Sequence, residues 1–226
     1  MRFTTKAASL AAALVTSAAV AGAQTIQFAG SAGGRFNAGA FVQGIGQPGF
    51  DNCTVLLGAL RYCGSLFNDQ TSNGFVSFGG NANEPDNFNN FGTFSLVQGT
   101  NAVFDGNTFD LNLIFTQPTG GTSGAPQQFG AQVTGSVTGS TAGGAQITFS
   151  TINNPRILSF TGSTPDGRPG TFSLLVNNVS VNAGQVSAAS GTIRANVVPE
   201  PSTYALMGTG LAGLLGMASR RRRAVA

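Results

Sequence analysis

The chain of 226 residues contains no histidine, and its lysines and arginines exceed its acidic residues to give a formal net charge of +3. Without histidine, a Ser-His-Asp or Cys-His catalytic centre and a His-ligated zinc site are excluded. Most of the positive charge lies at the two ends of the chain, and the region 24–198 has five arginines against seven acidic residues. This region therefore offers no basic surface for nucleic acid.

The first 23 residues have the three parts of a secretory signal peptide. Arg2 and Lys6 provide a positive start, Leu10 begins a short alanine-rich apolar core, and Ala-Gly-Ala ends the segment with small residues. We expect cleavage between Ala23 and Gln24, with export of the rest of the chain. An uncleaved membrane helix is the alternative. It is less favoured because the apolar run is short and polar, strand-like sequence follows it at once.

Residues 24–197 show the alternation of apolar and polar side chains that is typical of β-strands with one buried face. The clearest example is FDLNLIF at 109–115, in which the four apolar residues at odd positions share one face. The other predicted strands are 25–28, 75–78, 91–97, 129–137, 147–149, 157–160, 172–176 and 179–181. About ten short strands separated by Gly-, Asn- and Asp-rich turns predict one all-β domain, an antiparallel β-sandwich of the jelly-roll or immunoglobulin-like kind.

Cys53 and Cys63 are the two cysteines of the chain. Export places them in an oxidising compartment, where a disulfide is the expected state. Such a bridge would close a small loop and stabilise the fold by about 2–3 kcal/mol. A reactive or metal-binding pair of thiols is the less favoured alternative.

Carboxylates are the remaining candidates for catalysis, since glycosidases use a pair of them. Glu84 and Asp86 come first and Asp105 and Asp110 next, but loops rich in asparagine and glycine favour solvated surface acids. Two sets of clustered oxygens could instead bind calcium: Asn81, Asn83, Glu84 and Asp86, or Asp105, Asn107 and Asp110. Neither set has EF-hand spacing, and turn formation explains these residue types in loops. We predict no catalytic residue, cofactor or metal, with calcium as the open alternative.

The last 29 residues form a segment of three parts. Val198, Pro199, Glu200 and Pro201 come first, and the two prolines keep the backbone extended. The apolar run after them predicts a transmembrane helix at about 203–219, close to the roughly 20 residues that span a bilayer. A basic cluster follows, which is expected on the cytoplasmic side of the membrane. Its members are Arg220, Arg221, Arg222 and Arg223.

The order of Pro-Glu-Pro, apolar helix and arginine cluster resembles the C-terminal segment of PEP-CTERM proteins. The resemblance covers the tail, the signal peptide agrees with it, and the body varies widely among such proteins. It implies a bacterial envelope protein, and an exosortase that recognises Pro199-Glu200-Pro201 and removes the tail. It also implies anchoring in the inner membrane before processing, and location at the cell surface or in the extracellular matrix afterwards.

These observations favour an exported, non-enzymatic protein of the envelope or biofilm matrix. Its expected partners are the membrane, an exosortase and exopolysaccharide, and nucleic acid is not among them. A carbohydrate-binding module, calcium-assisted or not, is the alternative suggested by the low-charge, strand-rich body, although the chain lacks tryptophan, the ring that sugar platforms often use. An extracellular glycosidase is a third hypothesis, which rests on the carboxylates alone.

Overall fold

Strands account for most of the residues that the computed structural model of the protein describes, which are 25–43, 53–79, 89–119, 125–139, 142–160, 169–197 and 207–214. Within these ranges, sixteen strands and a 3-10 turn at Thr151–Asn153 precede a helix at 207–214. The strands belong to one unit, Gln24–Val197.

The strands in chain order are β1 Gln27–Phe36, β2 Val42–Gln43, β3 Cys53–Leu56, β4 Leu60–Cys63, β5 Ser65–Gln70, β6 Phe75–Phe78, β7 Thr93–Leu96, β8 Ala102–Val103, β9 Asn107–Gln117, β10 Pro126–Thr138, β11 Ala142–Phe149, β12 Arg156–Phe160, β13 Gly170–Val176, β14 Val179–Asn182, β15 Val186–Ala188 and β16 Gly191–Val197.

These strands form three sheets in which every described pairing is antiparallel. The eight-stranded sheet has the order β14-β11-β10-β9-β1-β2. β5 pairs with residues 27–32 of β1, and β2 pairs with the next two residues along the same edge of that strand. β8 pairs with Ser136 and Val137, near the C-terminal end of β10. The β13 sheet has the order β12-β13-β16-β6, and the β4 sheet has the order β15-β7-β4-β3.

Alternation along β9 places its apolar side chains in the core, as the sequence predicted. Phe109, Leu111, Leu113 and Phe115 are all fully buried. Asp110, between them, points to the opposite face, where it is partly exposed. A strand of this pattern is stable only where another layer covers its apolar face, and the other two sheets provide that layer.

Aromatic rings join the three sheets in one core. Phe28 of β1 and Phe115 of β9 both contact Phe172 of the β13 sheet, with ring centroids 4.9 and 5.2 Å apart. Tyr62 of the β4 sheet packs against Phe109 of β9 at 4.7 Å. Such pairs contribute about 0.5–1.5 kcal/mol beyond the burial of their area. Phenylalanine thus fills the core of a chain that has no tryptophan.

The first strand is longer than the alternation predicted, because glycines interrupt the pattern that sequence reasoning follows. β1 continues from the predicted 25–28 to Phe36. A Cβ atom at Gly30 would lie 2.6 Å from Cζ of Phe67, and one at Gly34 would lie 2.8 Å from Cε1 of Tyr62. Glycine is required at both positions because aromatic rings rest directly on the backbone of β1.

The predicted disulfide is confirmed. Cys53 in β3 and Cys63 in β4 are cross-strand partners whose Cα atoms are 4.1 Å apart, and their sulfur atoms are bonded. The bridge closes the hairpin whose turn connects Leu56 to Leu60, so it fixes the register of the β4 sheet at its edge.

The antiparallel all-β class is confirmed, whereas the jelly-roll or immunoglobulin-like type of sandwich stays a prediction. The structure has more strands than the ten or so expected, and seven of them were not predicted: β2, β3, β4, β5, β8, β15 and β16. Of these, β2, β8 and β15 are too short to produce a visible alternation. The predicted bounds of the signal peptide, ectodomain and tail also stay predictions. Residues 1–23 lie outside the described ranges.

The predicted transmembrane helix at 203–219 coincides with described helix only at 207–214. None of the helical segments in the described ranges has the length and apolar character needed to span a bilayer. The rest of the predicted span lies outside the described residues.

Candidate functional site

The sorting segment follows directly on the last strand of the domain. β16 lies between β13 and β6 in its sheet, and its pairing with β13 ends at Val197, opposite Gly170. The predicted motif residues Val198, Pro199, Glu200 and Pro201 lie outside the described residues, as do the four arginines at 220–223 and the predicted cleavage site at Ala23 and Gln24.

The first predicted calcium set cannot be placed, because Asn81, Asn83, Glu84 and Asp86 lie outside the described residues. Among the residues that the structure does describe, no three Asp, Glu, His or Cys residues come together as a metal site would require. Calcium therefore stays the open alternative for the first set, whereas the second set can be judged by its own contacts.

The acids of the second set have structural partners. Asp105 accepts a hydrogen bond of 2.9 Å from the main-chain N–H of Gly135. Asp110 accepts one of 2.9 Å from Nε of Arg35. The side chain of Asn107 donates to the carbonyl oxygen of Phe104 and accepts from Asn37. These contacts stabilise the turn before β9 and the pairing of β1 with β9.

A polar cluster lies on the outer face of the eight-stranded sheet, where β1, β9 and β10 run side by side. We call it the outer-face cluster and define it as Arg35, Phe41, Asp110, Asn112 and Gln128. Arg35 is the cross-strand partner of Asp110, and Asn112 is the partner of Gln128. The guanidinium of Arg35 also lies over the ring of Phe41, 4.2 Å from its centroid.

Two glycines flank β9 at this cluster, one on each neighbouring strand. Gly33 is the partner of Asn112 on β1, and Gly130 is the partner of Asp110 on β10. A Cβ atom at Gly130 would have Oδ1 of Asp110, 3.7 Å away, as its neighbour within 4 Å. The face is therefore open above Gly130.

Asn112 differs from the other polar residues of the cluster in being buried. The residue is 6 % exposed, and its Oδ1 atom has no hydrogen-bond partner among the described residues. A buried acceptor without a donor typically costs about 1–3 kcal/mol. In the alternation of 109–115 this residue is simply a polar position, and nothing in that pattern indicates its burial.

Tyr62 is a buried ionisable group that belongs to the core. Its hydroxyl donates a hydrogen bond of 2.8 Å to the carbonyl oxygen of Phe91. Burial raises the pKa of Tyr62 well above its ordinary value of 10.0, so it stays neutral near pH 7. The residue is a structural donor rather than an acid–base catalyst.

The structural features taken together define an antiparallel all-β domain. Residues 197–223 match the family model described as the PEP-CTERM protein-sorting motif. This match confirms the resemblance of the tail, and the chain carries a PEP-CTERM motif, which supports exosortase-dependent sorting. No curated protein and no solved structure matches the chain.

Proposed function

We propose that the protein is a non-enzymatic component of the cell surface or extracellular matrix, associated with exopolysaccharide after an exosortase has processed its tail. The observation that carries the proposal is the match of residues 197–223 to the sorting motif, directly after the last strand of the domain. On this proposal, the tail anchors the exported protein in the inner membrane until processing releases the β-domain.

The chemistry of the body supports a non-enzymatic role. The chain has no histidine, and its one lysine, Lys6, lies in the predicted signal peptide. Asp105 and Asp110 accept hydrogen bonds from partners within the fold. These contacts support a structural role for the two acids rather than that of the acid and base pair of a glycosidase. Release of reducing sugar from a panel of polysaccharides by the purified protein would contradict this part of the proposal.

The mature C-terminus tests the processing step. The full-length gene is expressed in a Gram-negative host with and without an exosortase, and the protein is identified by intact-mass spectrometry in membrane and surface fractions. We expect a chain that begins at Gln24 and ends near Pro199-Glu200-Pro201 in the surface fraction when the exosortase is present. A surface form that still ends at Ala226 would refute the processing.

A matched pair of variants locates the recognition. Glu200→Gln removes the charge between the two prolines and should leave the unprocessed chain in the membrane fraction. Ser202→Ala, which lies just outside the motif, should be processed like the original chain. Equal processing of both variants would show that Glu200 is not recognised.

A further inference from the structure

The buried acceptor of Asn112 requires a donor that the described residues do not supply. Buried polar side chains are nearly always hydrogen-bonded, and an exception calls for a specific explanation. The Oδ1 atom of Asn112 is such an exception. Its position on the outer face of the sheet, between Gly33 and Gln128, points toward something bound on that face.

The electrostatics of the outer-face cluster favour a neutral ligand. Arg35 and Asp110 form an ion pair at 2.9 Å, so their charges largely cancel. Asn112 and Gln128 are neutral amides that both donate and accept hydrogen bonds. A phosphate or carboxylate polymer would meet no unpaired cation within this cluster.

The shape of the cluster suits a chain of sugar rings. Gly130 has no side chain, so the face of the sheet beside Asp110 is open at this position. Phe41, stacked with the guanidinium of Arg35, provides a flat partly apolar surface at one side. Apolar planes combined with a few directed polar groups are typical of sites that bind small polar ligands.

We propose that the outer-face cluster binds a neutral glycan, with a sugar hydroxyl donating a hydrogen bond to Oδ1 of Asn112. This inference rests on the proposed association with exopolysaccharide and assigns that association a site. Gln128, the cross-strand partner of Asn112, is exposed, and exposed side chains change rotamer within picoseconds to nanoseconds. Its movement opens the way for the hydroxyl to reach Asn112.

Affinity electrophoresis of the full-length protein in mild detergent tests the site. Gels contain dextran, mannan or hydroxyethyl cellulose as neutral polysaccharides, and alginate as a polyanion. We expect at least one neutral polymer, and not alginate alone, to retard the protein. Retardation by alginate alone would overturn the proposal.

Two variants place the binding at the cluster. Asn112→Leu should weaken binding about tenfold or more, as expected for the loss of one buried hydrogen bond. Its melting temperature should be unchanged or higher, because the unpaired acceptor is removed. Gly130→Val should also weaken binding, since its side chain occupies the open face beside Asp110, where its Cβ atom meets no backbone atom within 4 Å. Asn196→Leu, an exposed asparagine on β16, is the matched control and should bind normally.

The possible results separate the site from the proposed function. If a neutral polymer retards the original chain and Asn112→Leu equally, the site is wrong while the association with polysaccharide stands. If alginate alone retards the original chain, the site is wrong while the association with polysaccharide stands. If none of the polymers retards it, both the site and the association are wrong. The C-terminal processing, which is measured by mass, is independent of either result.

Discussion

Replacing Phe115 by alanine removes a ring that connects two sheets. Phe115 is fully buried in β9, and its ring contacts Phe67 of β5 at 5.3 Å and Phe172 of the β13 sheet at 5.2 Å. Phe28, a third neighbour, lies at 6.4 Å. The alanine variant leaves these rings facing a cavity, because none of the three strands can move without breaking its own ladder.

The expected loss follows from the burial and the cavity together. Substitutions of buried phenylalanine by alanine cost about 3–5 kcal/mol, and the lost edge-to-face pairs favour the upper half of this range. For a domain of this size each 1 kcal/mol lowers the melting temperature by roughly 2–4 °C. We therefore expect Phe115→Ala to melt about 8–20 °C below the original chain.

Urea unfolding followed by far-ultraviolet circular dichroism measures the free energy of unfolding, with the full-length chain in the same detergent throughout. Phe75→Ala is the matched control, since Phe75 is 46 % exposed and stacks with Arg194 at 4.5 Å. Loss of that contact should cost about 0.5–1 kcal/mol. If Phe115→Ala lowers the free energy of unfolding by less than about 1 kcal/mol, or by no more than the control does, the ring of Phe115 does not hold the sheets together as argued.

Three further predictions concern the β4 sheet and its surroundings. Reduction of the bond between Cys53 and Cys63, or replacement of both by serine, should lower the free energy of unfolding by about 2–3 kcal/mol, and an unchanged melting temperature would contradict it. Tyr62→Phe removes a buried donor to a main-chain carbonyl and should cost about 1–3 kcal/mol near pH 7. Because the pKa of Tyr62 is raised by folding, its contribution is complete below pH 10 and declines as the pH rises further. Urea unfolding between pH 8 and 11 should show this decline in the original chain and less of it in Tyr62→Phe. Gly92→Ala places a Cβ atom 2.5 Å from the hydroxyl of Tyr62 and should cost at least about 2 kcal/mol, whereas Gly99→Ala has the same kind of positive φ without a neighbour and should cost less. Equal losses at the two glycines would argue against the close contact.

The sequence was most informative where a local pattern has one physical meaning. Alternation at 109–115 predicted the buried face of β9, because successive side chains of a strand point to opposite faces. The disulfide was predictable for a different reason, since two cysteines of an exported chain are expected to be oxidised to a disulfide outside the cytoplasm. The tail was recognised from three consecutive features that need no tertiary context.

The outer-face cluster could not be predicted in the same way. Its members come from β1, a following loop, β9 and β10, and only the strand register brings them together. Arg35 and Asp110 are 75 positions apart in the chain, and no local pattern relates such residues. The burial of Asn112 depends on neighbours from other strands, so it too appears only in the folded chain.

The sequence alone determined the all-β class, the disulfide and the sorting motif, because each depends on residue type and spacing within a short stretch. Tertiary structure decided the full length of β1, where glycines at 30 and 34 allow rings from other strands to lie against the backbone. It also decided the arrangement of three sheets around one aromatic core, and the polar cluster on the outer face. Contacts between strands that are distant in sequence produce these features, and their free energy becomes available only when the sheets pack together.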